Sequence, residues 1–575
     1  MHIFIWAWHR ITRVAVGPTS MNFKPSTTHP ILILCILGMA CICSEPAHGQ
    51  MVNSVGKIMP TDAAPLTRQV YRYLIPEPQT LDVNVRMYGS PGGFIFEPLL
   101  KVDPVTSEIL PGAADRYQFS DDGRVWTFHL RRTGKWSDGR PVTAHDFVYS
   151  WRRALDPKEA NPYAFFYYPI EGAKAYNTRV TGDPAVVKMR AVDDYTFEVT
   201  TTESCPYFPY IAAYGGTPPV PRWQIEKYGA RWTENDKCVS NASYMLDRWV
   251  TGDRIILKLD PMYNGPNKGY LEEIIWVLKT EGSAIGLLTY ENDELDTYNV
   301  DAIELGRVES DPNLSRQLVK VPIPRTRYIV VQTEQAPFND IRVRQALAKA
   351  IDRKALIRTV LRGVGTPAYA MLPHDYPGYL GENYRSVQAY DPDGAKVLFE
   401  EAGFPGGRGF PVRELWVRES ALSIRMVAQA IQEMWRSVLG IEIRIRQQEE
   451  KTFMDNMYQH RISLGLVPFT SDYPDPHSML GSLWRSGPVG AARHPWKSVR
   501  FDELVDKASK ELNPTTRMGF YDEAQKILAE EVGGIFVYNE ISLALRKPHL
   551  RGIRMSDSGY PILPALTELY IGREE

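Results

Sequence analysis

Val427, Ala430, Ile431, Met434, Trp435 and Val438 recur at helical spacing, and the stripe stops at Gly440. Ile441-Glu-Ile-Arg-Ile-Arg446 follows at once, alternating apolar and charged as a strand with one buried face does. A helix that hands its chain to a strand through a single glycine is a building unit of open α/β sheets. The second half of the chain is therefore constrained to layers of helix against sheet. Two more helix starts agree. Asn339-Asp340 opens a helix with Val343, Leu347, Ala350 and Ile351 on one face. Asp391-Pro392 places an N-cap before a proline at the first helical position, and Gly403 supplies the stop. In the first half, Tyr117 to Leu130 reads as a hairpin turning at Asp122-Gly123, with Trp126, Phe128 and Leu130 on one face. Thr143-Ala-His-Asp146 then predicts a capping box, opening a helix striped by Phe147, Val148, Trp151 and Leu155.

The N-terminal end carries an address. The apolar run Pro30–Cys43 is shorter than the roughly 20 residues a bilayer span needs. Arg10, Arg13 and Lys24 precede it, and Ala47-His-Gly49 puts small residues at the −3 and −1 positions of a cut before Gln50. This pattern predicts a secretory signal peptide over residues 1–49, with Met21 an alternative start and an uncleaved anchor the competing reading. Residues 50–65 read as a loose lead-in. Cleavage would remove Cys35, Cys41 and Cys43 and leave Cys205 and Cys238. In an oxidising compartment two cysteines suggest one disulfide; two buried free thiols are the alternative. The mature chain is expected to be soluble and periplasmic.

Charge and motifs exclude several classes of activity. A formal net charge of −2 over 575 residues leaves no basic footprint for nucleic acid. The sequence has no phosphate loop, no dinucleotide fingerprint after a strand, no GxSxG elbow and no HExxH pair. His145 falls in a helix first turn, where a structural role is expected. No catalytic residue, metal ligand or cofactor is assigned, and binding is favoured over turnover. Thirteen Trp and 31 Tyr could serve thick cores or line a cleft.

Three long blocks carry a resemblance. They are Trp126–Trp151, containing Gly-Lys-Trp-Ser-Asp-Gly-Arg-Pro-Val-Thr-Ala-His-Asp-Phe, then Ala336–Arg353, containing Pro-Phe-Asn-Asp-Ile-Arg-Val-Arg-Gln-Ala-Leu, and Gln448–Phe453 leading to Ser471-Asp-Tyr-Pro-Asp-Pro476. From about residue 68 to the end, the chain resembles the family 5 extracytoplasmic solute-binding proteins of peptide ABC transporters, nearest the oligopeptide-binding type. The resemblance implies an α/β fold of two lobes, a type II, cluster C periplasmic binding protein with a small domain inserted in lobe I. Lobe I would comprise 66–95, 206–322 and 536–575, the small domain 96–205 and lobe II 323–535. The lobes would close on the ligand about a hinge.

The same resemblance gives Asp472 a role, as the carboxylate that meets the α-ammonium of an extended peptide. Val467-Pro-Phe-Thr470 on one side and Met87-Tyr88-Gly89 on the other would pair with the peptide backbone. The implied ligand-binding set is Asp472, Phe469, Thr470, Ser471, Tyr473, Met87, Tyr88 and Gly89, with Phe469 either a wall of the site or a core residue. Pro468 has no N–H to offer. Some relatives join two of these segments by a disulfide; the corresponding positions are Thr470 and Arg325, and Cys205 would instead link to Cys238. Positions aligned with the carboxylate-receiving cations hold Ile424 and Leu466, leaving Arg325, Arg327, Arg425 and Arg461 as substitutes. Expected partners are a small peptide and the permease and ATPase subunits of an importer; a monomer is expected. Another amine-bearing solute or metal chelate, a secreted hydrolase, or a sensor are the alternatives.

Overall fold

The computed structural model describes residues 50–86, 92–278, 283–301, 303–418, 422–487, 494–556 and 565–573. The signal-peptide expectation over residues 1–49 and the Met87-Tyr88-Gly89 segment lie outside the described residues. Among the described residues no helix is long and apolar enough to cross a membrane.

Two long strands organise the rest. Leu318–Val331 and Gly534–Arg546 lie antiparallel side by side within one mixed sheet. On one flank Gly534–Arg546 is followed by Thr297–Asn299, Val70–Ile75, Glu273–Leu278, Arg254–Leu259 and Tyr244–Val250. On the other, Leu318–Val331 is followed by Leu464–Thr470, Arg413–Arg418 and Ile443–Gln448. The register of the two long strands breaks midway: Pro322 faces Ile541, but Thr326 faces Asn539. Pro322 and Pro324 cause the break, because neither carries an N–H for the ladder.

A separate antiparallel sheet holds Ala114–Phe119, Val125–Leu130, Thr196–Thr200 and Met189–Asp193 in that order. The turn at Asp122-Gly123 forms as expected, and Trp126, Phe128 and Leu130 alternate inward. They pack with Phe147, Trp151, Phe197 and Phe208 in one apolar cluster. Thr143 and Asp146 complete the capping box before the helix Ala144–Leu155. On the far flank, Trp435 of the helix Leu422–Leu439 buries among Val343, Leu347, Ile431 and Ile443 in a second cluster. Asp340 and Asp391 cap their helices as read from the sequence. Gly440 takes φ +71° and a Cβ there would sit 2.6 Å from the Gly406 carbonyl oxygen, so the stop is required twice over.

The expected disulfide does not form. Cys205 and Cys238 are both free thiols, the first buried and the second partly so. They occupy different neighbourhoods. Cys205 lies beside Tyr207, near Asp475 and Arg517, whereas Cys238 lies near Asp82. Burial pushes each thiol up to about 12, which leaves both unreactive as well as unpaired. A chain beginning at Gln50, unfolded without reductant and treated with iodoacetamide, should therefore gain two adducts by intact mass. Its melting temperature should be the same with and without dithiothreitol.

Candidate functional site

The strand Leu464–Thr470 is held on one side by Leu318–Val331 along its whole length. On its other side, Arg413–Arg418 pairs only as far as Val417 opposite Leu466. Val467 to Thr470 extend beyond that ladder among the described residues. Thr470 sits opposite Arg325 in register, and the Arg325 Nε donates to Thr470 Oγ1 at 2.6 Å. The positions that the sequence aligned with a bridging cysteine pair are thus direct neighbours tied by a hydrogen bond.

Beyond Thr470 the chain makes a compact turn built on Asp475. Its carboxylate takes both Arg517 Nη groups, at 2.6 and 2.7 Å, and the His477 N–H at 2.8 Å. Both partners of the ion pair are buried, and Arg517 is completed by the Ala508 carbonyl and Tyr521. Desolvation works against the Arg517 charge, but the Asp475 hydrogen bonds outweigh it and raise the guanidinium above its ordinary value. Tyr376 clasps the turn from outside: its hydroxyl lies 2.5 Å from Ser471 Oγ, 2.6 Å from the Tyr473 carbonyl and 2.9 Å from that of Asp475. His477 then opens a π-helical turn, His477–Gly481, of a kind often met at functional sites.

The turn projects Tyr473 out of its own half of the sheet. The ring is 5% exposed and belongs to the apolar cluster of the small sheet, not to that of its own strand. It stacks parallel to Tyr207 with centroids 6.3 Å apart and to Tyr210 at 6.2 Å, and meets Phe166 edge-on. His477 lies flat on Tyr207 at 3.7 Å, and its Nδ1 is 2.8 Å from the Tyr473 hydroxyl. Burial pulls this imidazole down from 6.5 to about 4. Lys510 adds an ion pair across the same junction, 2.7 Å from Glu203.

Asp472 lies at the edge of this contact. Tyr214 donates its hydroxyl to Asp472 Oδ1 at 3.3 Å, and the Asp472 N–H donates to Ser478 Oγ at 3.0 Å. The carboxylate lines a crevice of about 340 Å³ together with Lys101, Tyr210, Tyr214, Gly215 and Tyr473. A second cavity of about 370 Å³ lies against the other side of Tyr473, walled by Phe165, Phe166, Tyr168, Tyr207 and His477.

The structure brings Asp472, Ser471, Tyr473 and Thr470 together on one turn. Phe469 goes elsewhere: it is buried in the cluster of Tyr328, Trp416 and Val467, the core reading of that residue. Two of the substitute cations are already engaged, since Arg325 and Arg327 both pair with Glu540. Arg425 and Arg461 are exposed. Sequence reasoning missed Asp475, Arg517, Tyr214 and His477. The first two could have been suspected from a second Asp in the same turn, but their pairing spans 42 residues and no local spacing reveals it.

The model of the bacterial extracellular solute-binding proteins, family 5 Middle, matches residues 108–491. The periplasmic oligopeptide-binding protein of Salmonella typhimurium is 33% identical over 468 residues, covering 80% of this chain and 85% of the relative. The probable deoxycholate-binding periplasmic protein YgiS of Escherichia coli is 30% identical over 506 residues, covering 86% and 92%. The structure of the Escherichia coli murein tripeptide binding protein MppA superposes with a TM-score of 0.71 at 27% identity, over 88% of this chain and 98% of that one.

Two outcomes follow from the turn. Arg517→Met strands a buried carboxylate, so it should cost about 3–5 kcal/mol in urea unfolding. The His477 imidazole has a folded value below its unfolded one, so the unfolded chain binds a proton first as pH falls. Its contribution is full above about pH 6.5 and is lost progressively down to about pH 4. His477→Gln should flatten the stability profile across that window.

Proposed function

Because the chain belongs to the bacterial extracellular solute-binding proteins of family 5, a family of receptors that perform no chemistry, we propose that it is the periplasmic substrate-binding component of a peptide ABC importer. It captures an extended oligopeptide and presents it to membrane permease and ATPase subunits. The observation that carries this reading is Asp472: a carboxylate at the end of a partly unladdered strand, facing a crevice made by a different part of the fold. An ammonium enclosed there exchanges water for a carboxylate and the Tyr214 hydroxyl, and enclosure strengthens the pair. The edge at Val467–Thr470 offers backbone groups to a ligand strand, except at Pro468.

In the same reading, lobe I comprises 66–95, 206–322 and 536–575, a small domain 96–205 and lobe II 323–535. The two strands that cross between them, with their proline-broken register, supply the hinge. Export through a signal peptide over 1–49 fits relatives whose names place them in the periplasm.

A second reading has one observation in its favour. The aromatic-walled cavity beside Tyr473 suits an apolar ring system, and the relative YgiS is named as a probable deoxycholate-binding protein. Mass spectrometry of small molecules released from the purified protein separates the two, since peptides and steroids differ in mass and fragmentation. For the leading reading, Asp472→Asn should weaken binding of a free tripeptide such as Ala-Ala-Ala by more than tenfold, about 1.4 kcal/mol, in titration calorimetry. The N-acetylated tripeptide should lose at least as much on the wild-type protein. Equal binding of acetylated and free peptide would remove Asp472 as the anchor.

A further inference from the structure

The crevice that holds Asp472 is also lined by a cation whose carboxylate partner is shared. Lys101 follows the strand start at Leu100 and lines the crevice with its side chain 30% exposed. Its one ion-pair partner among the described residues is Glu97, at 3.6 Å. Glu97 is already committed more closely elsewhere. Its Oε2 takes Arg131 at 2.7 Å, and its Oε1 takes the Tyr263 hydroxyl at 2.6 Å and Asn267 at 3.1 Å. One buried carboxylate thus faces two cations, and Arg131 holds the better geometry. The cluster carries a net positive charge, and Lys101 is the member of it that lines the crevice.

Asp472 and Lys101, an acid and a base, therefore both line one crevice of about 340 Å³. A bare ammonium fills half of that pattern. A ligand with a carboxylate a few bonds from its free amine fills both halves, between the walls of Tyr210 and Tyr214. We propose that Lys101 is a specificity-determining residue and that the preferred ligands are peptides whose first residue is acidic. Aspartate and glutamate place their side-chain carboxylates within a few bonds of the α-ammonium, which suits a shared crevice. A lysine or arginine at the same place puts a cation toward Lys101 and is disfavoured. Negative selection of this kind needs no extra contact with the favoured ligand.

The inference rests on the peptide reading with Asp472 as anchor, and the test separates the two. Dissociation constants are measured by calorimetry for Ala-Ala-Ala, Glu-Ala-Ala and Lys-Ala-Ala, all with free N-termini, on the wild type, Lys101→Met and Lys101→Arg. The wild type should prefer Glu-Ala-Ala over Lys-Ala-Ala by about tenfold or more, a difference of 1.4 kcal/mol. Lys101→Met should bring that ratio near one, and Lys101→Arg should keep it, whatever either variant does to affinity as a whole. If Ala-Ala-Ala binds and the wild type does not discriminate, or if Lys101→Met discriminates as the wild type does, the assignment of Lys101 is overturned while the peptide reading stands. If no free tripeptide binds, both fall.

Discussion

The ion pair between Asp475 and Arg517 is the constraint on which the candidate site depends. It is buried on both sides and bidentate, and it fixes the turn that follows the strand Leu464–Thr470. The candidate site residues in that turn are placed relative to it. Asp475 takes the His477 N–H, so the π-helical turn starts at a set point. Tyr376 binds the carbonyls on either side of Pro474. With those atoms fixed, Tyr473 points out of its own half of the fold and Asp472 points to the rim beside it. A buried ion pair adds little net stability compared with apolar replacement, because desolvation offsets the attraction. Its use here is geometric.

That geometry assigns the neighbouring acids different work. Asp472 and Asp475 lie three residues apart in one short stretch, yet one faces a crevice and the other is sealed against an arginine. The sealed acid has its donors within the protein. The rim acid lines the crevice and takes the Tyr214 hydroxyl at 3.3 Å, a long contact for a carboxylate. The contrast is between a carboxylate sealed inside the fold and one at the rim of a crevice.

Much of the fold was legible because its signals are local. Gly440, the Asp340 and Asp391 caps, the Thr143–Asp146 box and the Asp122-Gly123 turn each depend on a few adjacent residues, and each forms where the sequence predicts. The site was legible only through resemblance, which pointed to Asp472 and its strand. What stayed hidden depends on distant contacts. Arg517 meets Asp475 across 42 residues, and Tyr214 meets Asp472 across 258. The cysteines failed for the complementary reason: two thiols in one chain carry no information about whether they meet. Phe469 turned inward because strand alternation at the end of a buried strand does not fix which apolar cluster a ring joins.

Tyr473 has a consequence for the unliganded protein. Its ring is lodged in an apolar cluster that belongs to another part of the molecule, so in the proposed hinge motion opening would return it to water. Exposing an aromatic side chain costs about 1.5–3 kcal/mol, enough to change the ratio of open to closed molecules by about ten- to a hundredfold. In that motion a ligand entering the crevice would complete a closure that this ring already favours. In the proposed receptor the tyrosine would thereby set the idling population, and with it the lowest solute concentration at which closure carries information about cargo rather than about the protein alone.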